Sequence, residues 1–104
     1  MGAANISYGY VGAFARARGV SPLFTEDTSE VLTTDAITSA ATTAAAPDEQ
    51  NRELAVRVML SVLGWIKIGA APTADKTTSM KCQADTEYFF AIAPGHKVAV
   101  IDNA

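Results

Sequence analysis

Cysteine and histidine are almost absent from this chain of 104 residues, which contains one of each. A single cysteine, Cys82, allows no disulfide within the chain and cannot supply the ligands of a Cys-based zinc site. A single histidine, His96, excludes a histidine-rich metal centre. We expect Cys82 to be a buried or half-buried thiol and His96 to be a solvated turn residue, with no metal and no cofactor.

Positive charge is also scarce, since eight Lys and Arg residues against eleven Asp and Glu give a net charge of −3. A nucleic-acid-binding protein needs a basic face or stripe to displace counterions from phosphates. Here the lysines are scattered singly along the sequence, and the arginines lie at Arg16, Arg18, Arg52 and Arg57. We therefore expect no nucleic-acid partner.

Long apolar runs are missing as well. No uninterrupted stretch reaches the ~18 apolar residues that a bilayer-spanning helix needs. The N-terminus lacks the basic region followed by an apolar run that is typical of a secretory signal. These absences predict a soluble protein that is made in a reducing cytoplasm and has no membrane partner.

Motifs of catalysis are lacking too. The sequence contains no Gly-x-Ser-x-Gly, no Gly-x-Gly-x-x-Gly and no Gly-Lys-Ser/Thr. Its paired acids lie in predicted turns, where carboxylates commonly solvate loops or cap backbone groups. We predict that the protein is not an enzyme. The enzymatic alternative is a carboxylate pair in a groove, which would require a hydrolytic activity that is lost on changing Asp85 or Glu87.

Alanine and threonine are the most prominent residues in the composition of the chain. Hydrophobic residues make up 49% of the chain, but twenty residues are alanine, and eleven more are threonine. A chain of this length can bury about 65% of its unfolded surface. The composition excludes wholesale disorder. It predicts one small domain with a thin core that completes its burial against neighbouring subunits.

The N-terminal segment alternates in the manner of a strand. Ile6, Tyr8 and Tyr10, followed by Phe14, lie on one face of an extended chain. We interpret residues 1–27 as a strand or arm that is loosely attached to a core formed by residues 28–104. Tyr8, Tyr10 and Phe14 are then candidate interface residues.

The middle of the chain contains one ambiguous segment. Two thin Ala/Thr-rich strands are predicted at residues 29–35 and 37–44. Residues 52–63 can form a strand with Leu54, Val56, Val58 and Leu60 pointing inward, or a helix that begins near Pro47 and ends at Gly64. The valines favour the strand.

Three further strands are predicted in the C-terminal part. The first, residues 65–69, places Trp65 and Lys67 on the face opposite Ile66 and Ile68, so that both become candidate interface residues. It ends at Gly69, and Pro72 lies in the loop that follows. The strands at 87–92 and 97–101 are joined by a turn at Pro94 and Gly95. Short strands and turns without strand–helix alternation predict an all-β fold, a small antiparallel β-sandwich or jelly roll.

The C-terminal part of the sequence also resembles a known group of proteins. It runs from Trp-Ile-Lys-Ile-Gly-Ala-Ala-Pro-Thr-Ala (residues 65–74) through Ser79-Met80 to Glu-Tyr-Phe-Phe-Ala-Ile-Ala-Pro-Gly-His-Lys-Val-Ala-Val-Ile (residues 87–101). It is similar to the small β-sandwich virion proteins of tailed bacteriophages and prophages. The resemblance covers residues ~54–101. Lys81-Cys82-Gln83 departs from it, because an apolar pair is expected there.

The resemblance implies a structural role in the virion. Such proteins are decoration (cement) proteins of the capsid or components of the neck and tail. We expect a non-catalytic decoration protein on the capsid surface that binds the major capsid protein through its Ala/Thr-rich strands or N-terminal arm. We also expect it to form a homo-oligomer, a dimer or trimer. The alternative is a neck, tail or fibre component in which Trp65 and the tyrosines contact a host-surface glycan.

Overall fold

A computed structural model of the protein describes residues 2–11, 24–47 and 53–103. In these residues every regular element is a strand. The eight strands are β1 (Gly2–Val11), β2 (Phe24–Thr34), β3 (Ala40–Ala41), β4 (Glu53–Leu60), β5 (Gly64–Gly69), β6 (Met80–Cys82), β7 (Glu87–Ala91) and β8 (Lys97–Asp102).

The strands form two antiparallel sheets of four strands each. The first sheet has the order β2-β1-β4-β7 and the second has the order β3-β8-β5-β6. β2 contacts β3 and β8, and β1 contacts β8, so the sheets face each other with β2 and β3 along one side. The predicted all-β sandwich is confirmed.

The ambiguous segment is a strand in β4. Val56, Val58 and Leu60 are buried between the sheets, while Arg57 points to the opposite face. β4 pairs with β1 on one side and β7 on the other. The helical alternative is wrong for residues 53–60, because only a strand presents every second residue to the core and also satisfies both neighbouring ladders.

The N-terminal strand lies in the centre of the first sheet, between β2 and β4. Ile6 and Tyr8 are fully buried against the second sheet. The interpretation as a loosely attached arm is therefore wrong for residues 2–11, since this strand has a partner on each side. The arm stays a prediction for residues 12–23, which lie outside the described residues together with Phe14.

The Ala/Thr-rich region is divided differently from the prediction. β2 is longer than expected, and the second predicted strand is reduced to Ala40–Ala41. The reason is Asp35, whose carboxylate accepts hydrogen bonds from the backbone N–H groups of Ile37 (2.8 Å) and Thr38 (2.6 Å). Such a side-chain turn competes with sheet pairing and ends β2.

The core lies between the two sheets and is built mainly from small and β-branched side chains. Among the residues that the structure describes, Tyr8 has the largest fully buried side chain. The first sheet contributes Ala4, Ile6, Tyr8, Leu32, Val56, Val58 and Leu60, and the second contributes Ile66, Cys82, Val98 and Val100.

The predicted turn before the last strand is confirmed. The N–H of His96 donates to the carbonyl of Ala93 at 3.1 Å, and Gly95 has a φ of +81°. This geometry is that of a type II turn, which requires a positive φ at its third residue and favours proline, here Pro94, at its second.

Candidate interaction surfaces

Tyr8 and Tyr10, two of the predicted interface residues, lie inside the sandwich. Both side chains are buried. The Tyr8 hydroxyl donates to the carbonyl of Ala44 (3.0 Å) and is 2.8 Å from the Thr42 hydroxyl. Because Tyr8 has one proton to donate, Thr42 is the donor in their shared bond. Burial raises the pKa of Tyr8. This placement contradicts an interface role for the two tyrosines, because a partner cannot reach them.

The outer face of the first sheet follows from the strand register. β1 residues with odd numbers point away from the core, so that their cross-strand partners share this face. We call it the acidic face, and it presents Phe24, Glu26, Val31, Arg57, Met59, Glu87 and Phe89. Two of its apolar side chains are highly exposed, Val31 at 66% and Phe89 at 54%.

Two aromatic rings meet across the acidic face. Phe24 on β2 and Phe89 on β7 are in edge-to-face contact, with ring centroids 5.4 Å apart. β2 and β7 are the two outermost strands, so the rings must reach over β1 and β4. Gly9 and Ala55, which pair on this face and are buried, leave room for them. Phe89 therefore lies on the sheet surface, whereas Tyr88 and Phe90 on either side of it pack against the core.

An ion pair also crosses the acidic face. Arg57 donates to the Glu87 carboxylate at 3.0 Å. Sequence reasoning missed it, because the predicted strand at residues 87–92, which Glu87 begins, was assigned no partner strand. Only the register, in which Met59 pairs with Glu87 and Arg57 pairs with Phe89, makes the two charges diagonal neighbours.

The outer face of the second sheet carries all four lysines of the chain. Lys67, Lys81 and Lys97 point away from the core on β5, β6 and β8, and the Lys76 ammonium lies 5.6 Å from the centre of the Trp65 ring. We call this the lysine face. The predicted exposure of Lys67 is confirmed.

Trp65 is less accessible than the sequence indicated. The loop of residues 70–79 crosses the lysine face, and its buried Ala74 packs with Trp65, Ala99 and Ile101. The N–H of Ala74 is held by the hydroxyl of Ser39 at 2.9 Å. Trp65 is consequently half-buried under a segment of its own chain. Gly69 and Pro72, predicted as turn residues, lie at the start of this loop.

Asp75 organises the loop that covers Trp65. Its carboxylate accepts hydrogen bonds from the side-chain and backbone groups of Thr78 and Thr77, over distances of 2.5–2.8 Å. These bonds, those from Thr78 first, hold the pKa of Asp75 well below its usual value of 3.8. The ionised carboxylate therefore stabilises the loop above about pH 4, and this contribution is lost as the pH falls through the lowered pKa.

We expect Asp75→Ala to loosen this loop and expose Trp65. The emission of Trp65, the only tryptophan, should shift to the red at neutral pH, and acrylamide should quench it more strongly. Asp27→Ala, which removes an exposed carboxylate from the other sheet, is the control and should leave both readings unchanged. Unchanged emission in Asp75→Ala would mean that the loop keeps its position without this cap.

The side chain of Glu30 ties the middle of β2 to the segment that follows β3 in the second sheet. Glu30 accepts hydrogen bonds from the backbone and hydroxyl of Thr43 (2.8–3.1 Å) and from the N–H of Ala44 (3.2 Å). Partial burial would raise the pKa of Glu30, but these hydrogen bonds and the charge of Lys97 outweigh it, so that its pKa is lowered. On its other side β2 has no strand partner among the residues that the structure describes.

The described residues lack a metal-binding cluster and a membrane-spanning helix. They contain no group of three or more His, Cys, Asp or Glu side chains that could hold a metal ion. Within the same ranges no helix has the length and apolarity to cross a membrane. Cys82 is fully buried, and burial raises the pKa of its thiol. An open apolar groove of about 230 Å³ lies between the sheets, beside Ile68, Met80 and Phe90.

Comparison with known proteins adds no further lead. No family model matches the chain, and no curated protein or solved structure matches it significantly. The features that bear on function are therefore the two outer faces, the strand edges and the amino-acid sequence.

Proposed function

We propose that this protein is a non-catalytic structural protein of a tailed-bacteriophage virion, which binds the major capsid protein and stabilises the shell. The observation that carries the proposal is the free edge of β2. This strand of 11 residues is the longest among the residues that the structure describes and lies at the end of its sheet. The resemblance of residues ~54–101 to small β-sandwich virion proteins supplies the context.

A free strand edge is a binding surface for another chain. It presents unpaired backbone N–H and C=O groups, which an extended segment of a partner can pair with as an added strand. β2 contains neither proline nor lysine, which commonly protect an edge, and its protection is limited to Glu26, Asp27 and Glu30 and to a bulge opposite Tyr8 and Gly9. The exposed run Glu26–Ser29 leaves its backbone accessible to such a segment. The expected partner contact is thus through β2, whose C-terminal part includes residues 29–34 of the predicted strand at 29–35.

The proposed mechanism is mechanical. Each copy would add buried area between neighbouring capsid subunits, and the repetition of the contact over a symmetric shell would add avidity. A thin core suits such a component, because binding to the folded state raises its apparent stability.

The alternative, a neck, tail or fibre component that contacts a host glycan through Trp65, is less well supported. Its tryptophan would have to be an open stacking platform, and Trp65 lies under the loop that carries Ala74. Both tyrosines named with it are buried.

Cryo-electron microscopy of capsids of the same phage, prepared with and without this chain, tests the proposal. We expect regular density at every equivalent local axis and easier rupture of capsids that lack the chain. Thr28→Lys, which places a charge on the free edge of β2, should lower the occupancy at least several-fold. Thr86→Lys, exposed in the turn before β7, should not. Density at a single vertex or along the tail would overturn the decoration role in favour of the neck or tail.

A further inference from the structure

We propose that two copies of this protein form a dimer through the free edge of β7, which pairs antiparallel with β7 of the second copy. The first sheets of the two copies, of four strands each, then join into one sheet of eight. Among the residues that the structure describes, β7 has β4 on one side and no strand on the other. The contact uses no residue of β2, so it does not depend on the proposed function.

β7 is the edge best suited to a second copy among the four edge strands of the two described sheets. β3 and β6 have only two and three residues, which is too few for a ladder of backbone hydrogen bonds. β2 is long, but it carries Glu26, Asp27 and Glu30. Two paired β2 strands would hold six carboxylates along one ladder, three from each copy. β7 has five residues without proline or lysine, and its pairing with β4 is regular.

The sequence of β7 is self-complementary in an antiparallel pair. Only the register centred on Phe89 pairs all five residues, and it places Phe89 opposite the partner's Phe89 and Glu87 opposite the partner's Ala91. Aromatic side chains that face each other stabilise a strand pair. No like charges face each other, because Glu87 is the only charged residue of β7 and already binds Arg57 at 3.0 Å. The two-fold axis passes through the Phe89 pair, so the dimer is closed.

Apolar surface flanks the β7 edge on both sides of the first sheet. On the acidic face, Phe89 is 54% exposed and lines an open groove of about 260 Å³. Between the sheets, Phe90 lines the groove of about 230 Å³ beside Met80, which is 52% exposed. Phe89 and Met80 are two of the four exposed large apolar side chains in the described residues. A second copy brings the same two side chains to the same seam, so that each copy covers those of the other.

The contact should be weak. A strand of five residues is about 17 Å long and a sandwich with its side chains about 20 Å thick, so this edge offers roughly 350 Å² per copy. A standard interface buries ~800 Å² per partner, and we therefore expect a dissociation constant of roughly 0.1–1 mM. Salt should strengthen the dimer, because each copy has a net charge of −3 and the exposed Lys81 of each β6 approaches its counterpart.

Charge variants at the centre of the seam test the dimer. Sedimentation velocity of the full chain at about 1 mM should show the dimer. Phe89→Lys and Phe89→Glu should each lower the association constant at least tenfold, because like charges then face each other across the two-fold axis. An equimolar mixture of the two should dimerise, since the introduced ammonium and carboxylate then pair. Because Phe89 is exposed, both variants should retain the fold.

Ile37→Lys and Ile37→Glu are the matched controls. They place the same charges on the most exposed apolar side chain of the described residues, in the turn after β2, and should dimerise like the wild type. Hydrogen exchange of the wild type locates the contact without a substitution. The backbone amides of residues 87–91 should exchange more slowly in concentrated than in dilute solution, whereas those of β2 should not change.

Three results would overturn the proposal. They are a wild type that stays monomeric at about 1 mM, a mixture of the two Phe89 variants that stays monomeric, and protection of β2 in place of β7. The first would mean that the β7 edge does not pair with its own copy, and the third that copies associate through the other long edge. No reading involves a capsid, so failure of the dimer and failure of the proposed capsid contact are distinguishable.

Discussion

Replacing Tyr8 with alanine is expected to lower the free energy of unfolding by about 3–5 kcal/mol, the usual cost of removing a buried aromatic side chain. Tyr8 is the largest fully buried side chain among the described residues and lies in the central strand β1. No neighbour can fill the space, because the core around it is made of small and β-branched residues. In a domain with a total stability of about 5–15 kcal/mol, this loss is a large share.

The contribution of the Tyr8 hydroxyl to stability can be measured separately from that of its ring. Tyr8→Phe removes the donor to the carbonyl of Ala44 and the acceptor of the Thr42 hydroxyl proton, while the Thr42 oxygen still accepts the N–H of Val98 at 3.3 Å. We expect a cost of about 1–2 kcal/mol. Tyr88→Phe is the matched control. Its hydroxyl accepts the N–H of Gln83 at an exposed site, so we expect less than about 0.5 kcal/mol.

Thermal and urea unfolding of these variants provide the measurement. Tyr8→Ala should lower the Tm by more than about 10 °C, since 1 kcal/mol corresponds to roughly 4–8 °C in a domain of this size. If Tyr8→Phe were no more destabilising than Tyr88→Phe, the contact from β1 to the segment after β3 would contribute nothing to stability.

Thr34→Val is expected to cost about 1.5–3 kcal/mol, the range for a hydrogen bond to a charged group. The Thr34 hydroxyl donates to the Asp102 carboxyl at 2.6 Å, and both residues are buried. Valine has the shape of threonine but cannot donate, so that the Asp102 carboxyl loses a buried partner. This bond joins the end of β2 in the first sheet to the end of β8 in the second.

Thr33→Val is the control for this prediction. Thr33 precedes Thr34 in β2, but its side chain is exposed, and valine there should change stability by less than about 0.5 kcal/mol. The two variants are compared by the urea concentration at the midpoint of unfolding. This comparison holds when the slope of the free energy of unfolding against urea concentration is the same in both. Equal midpoints for the two variants would show that Asp102 does not need the Thr34 hydroxyl.

Much of the fold could be predicted from local pattern. Period-two alternation identified the inward residues of β4 and the face that Ile6, Tyr8 and Tyr10 share in β1, although that face was interpreted as an interface, and Pro94-Gly95 identified the turn before β8. These features depend on nearest neighbours in sequence, where side-chain alternation and the requirement for positive φ act directly. The central position of β1 was missed, because the choice of strand partners depends on contacts far apart in sequence.

The features of the candidate surfaces also fall into those that the local sequence predicts and those that depend on contacts far apart in sequence. The exposure of Lys67 and the burial of Cys82 followed from strand alternation and residue type. The covering of Trp65 did not, because it depends on a distant loop that Asp75 holds in shape.

The sequence by itself determined that this protein is an all-β domain with few chemically reactive side chains, because composition and alternation are local properties. Only the tertiary structure decided where the charges lie. Lys67, Lys76, Lys81 and Lys97 are scattered along the chain, yet the register of β5, β6 and β8 and one loop bring them to a single face. Register depends on pairing between distant strands, and a shift by one residue would send these side chains to the opposite face.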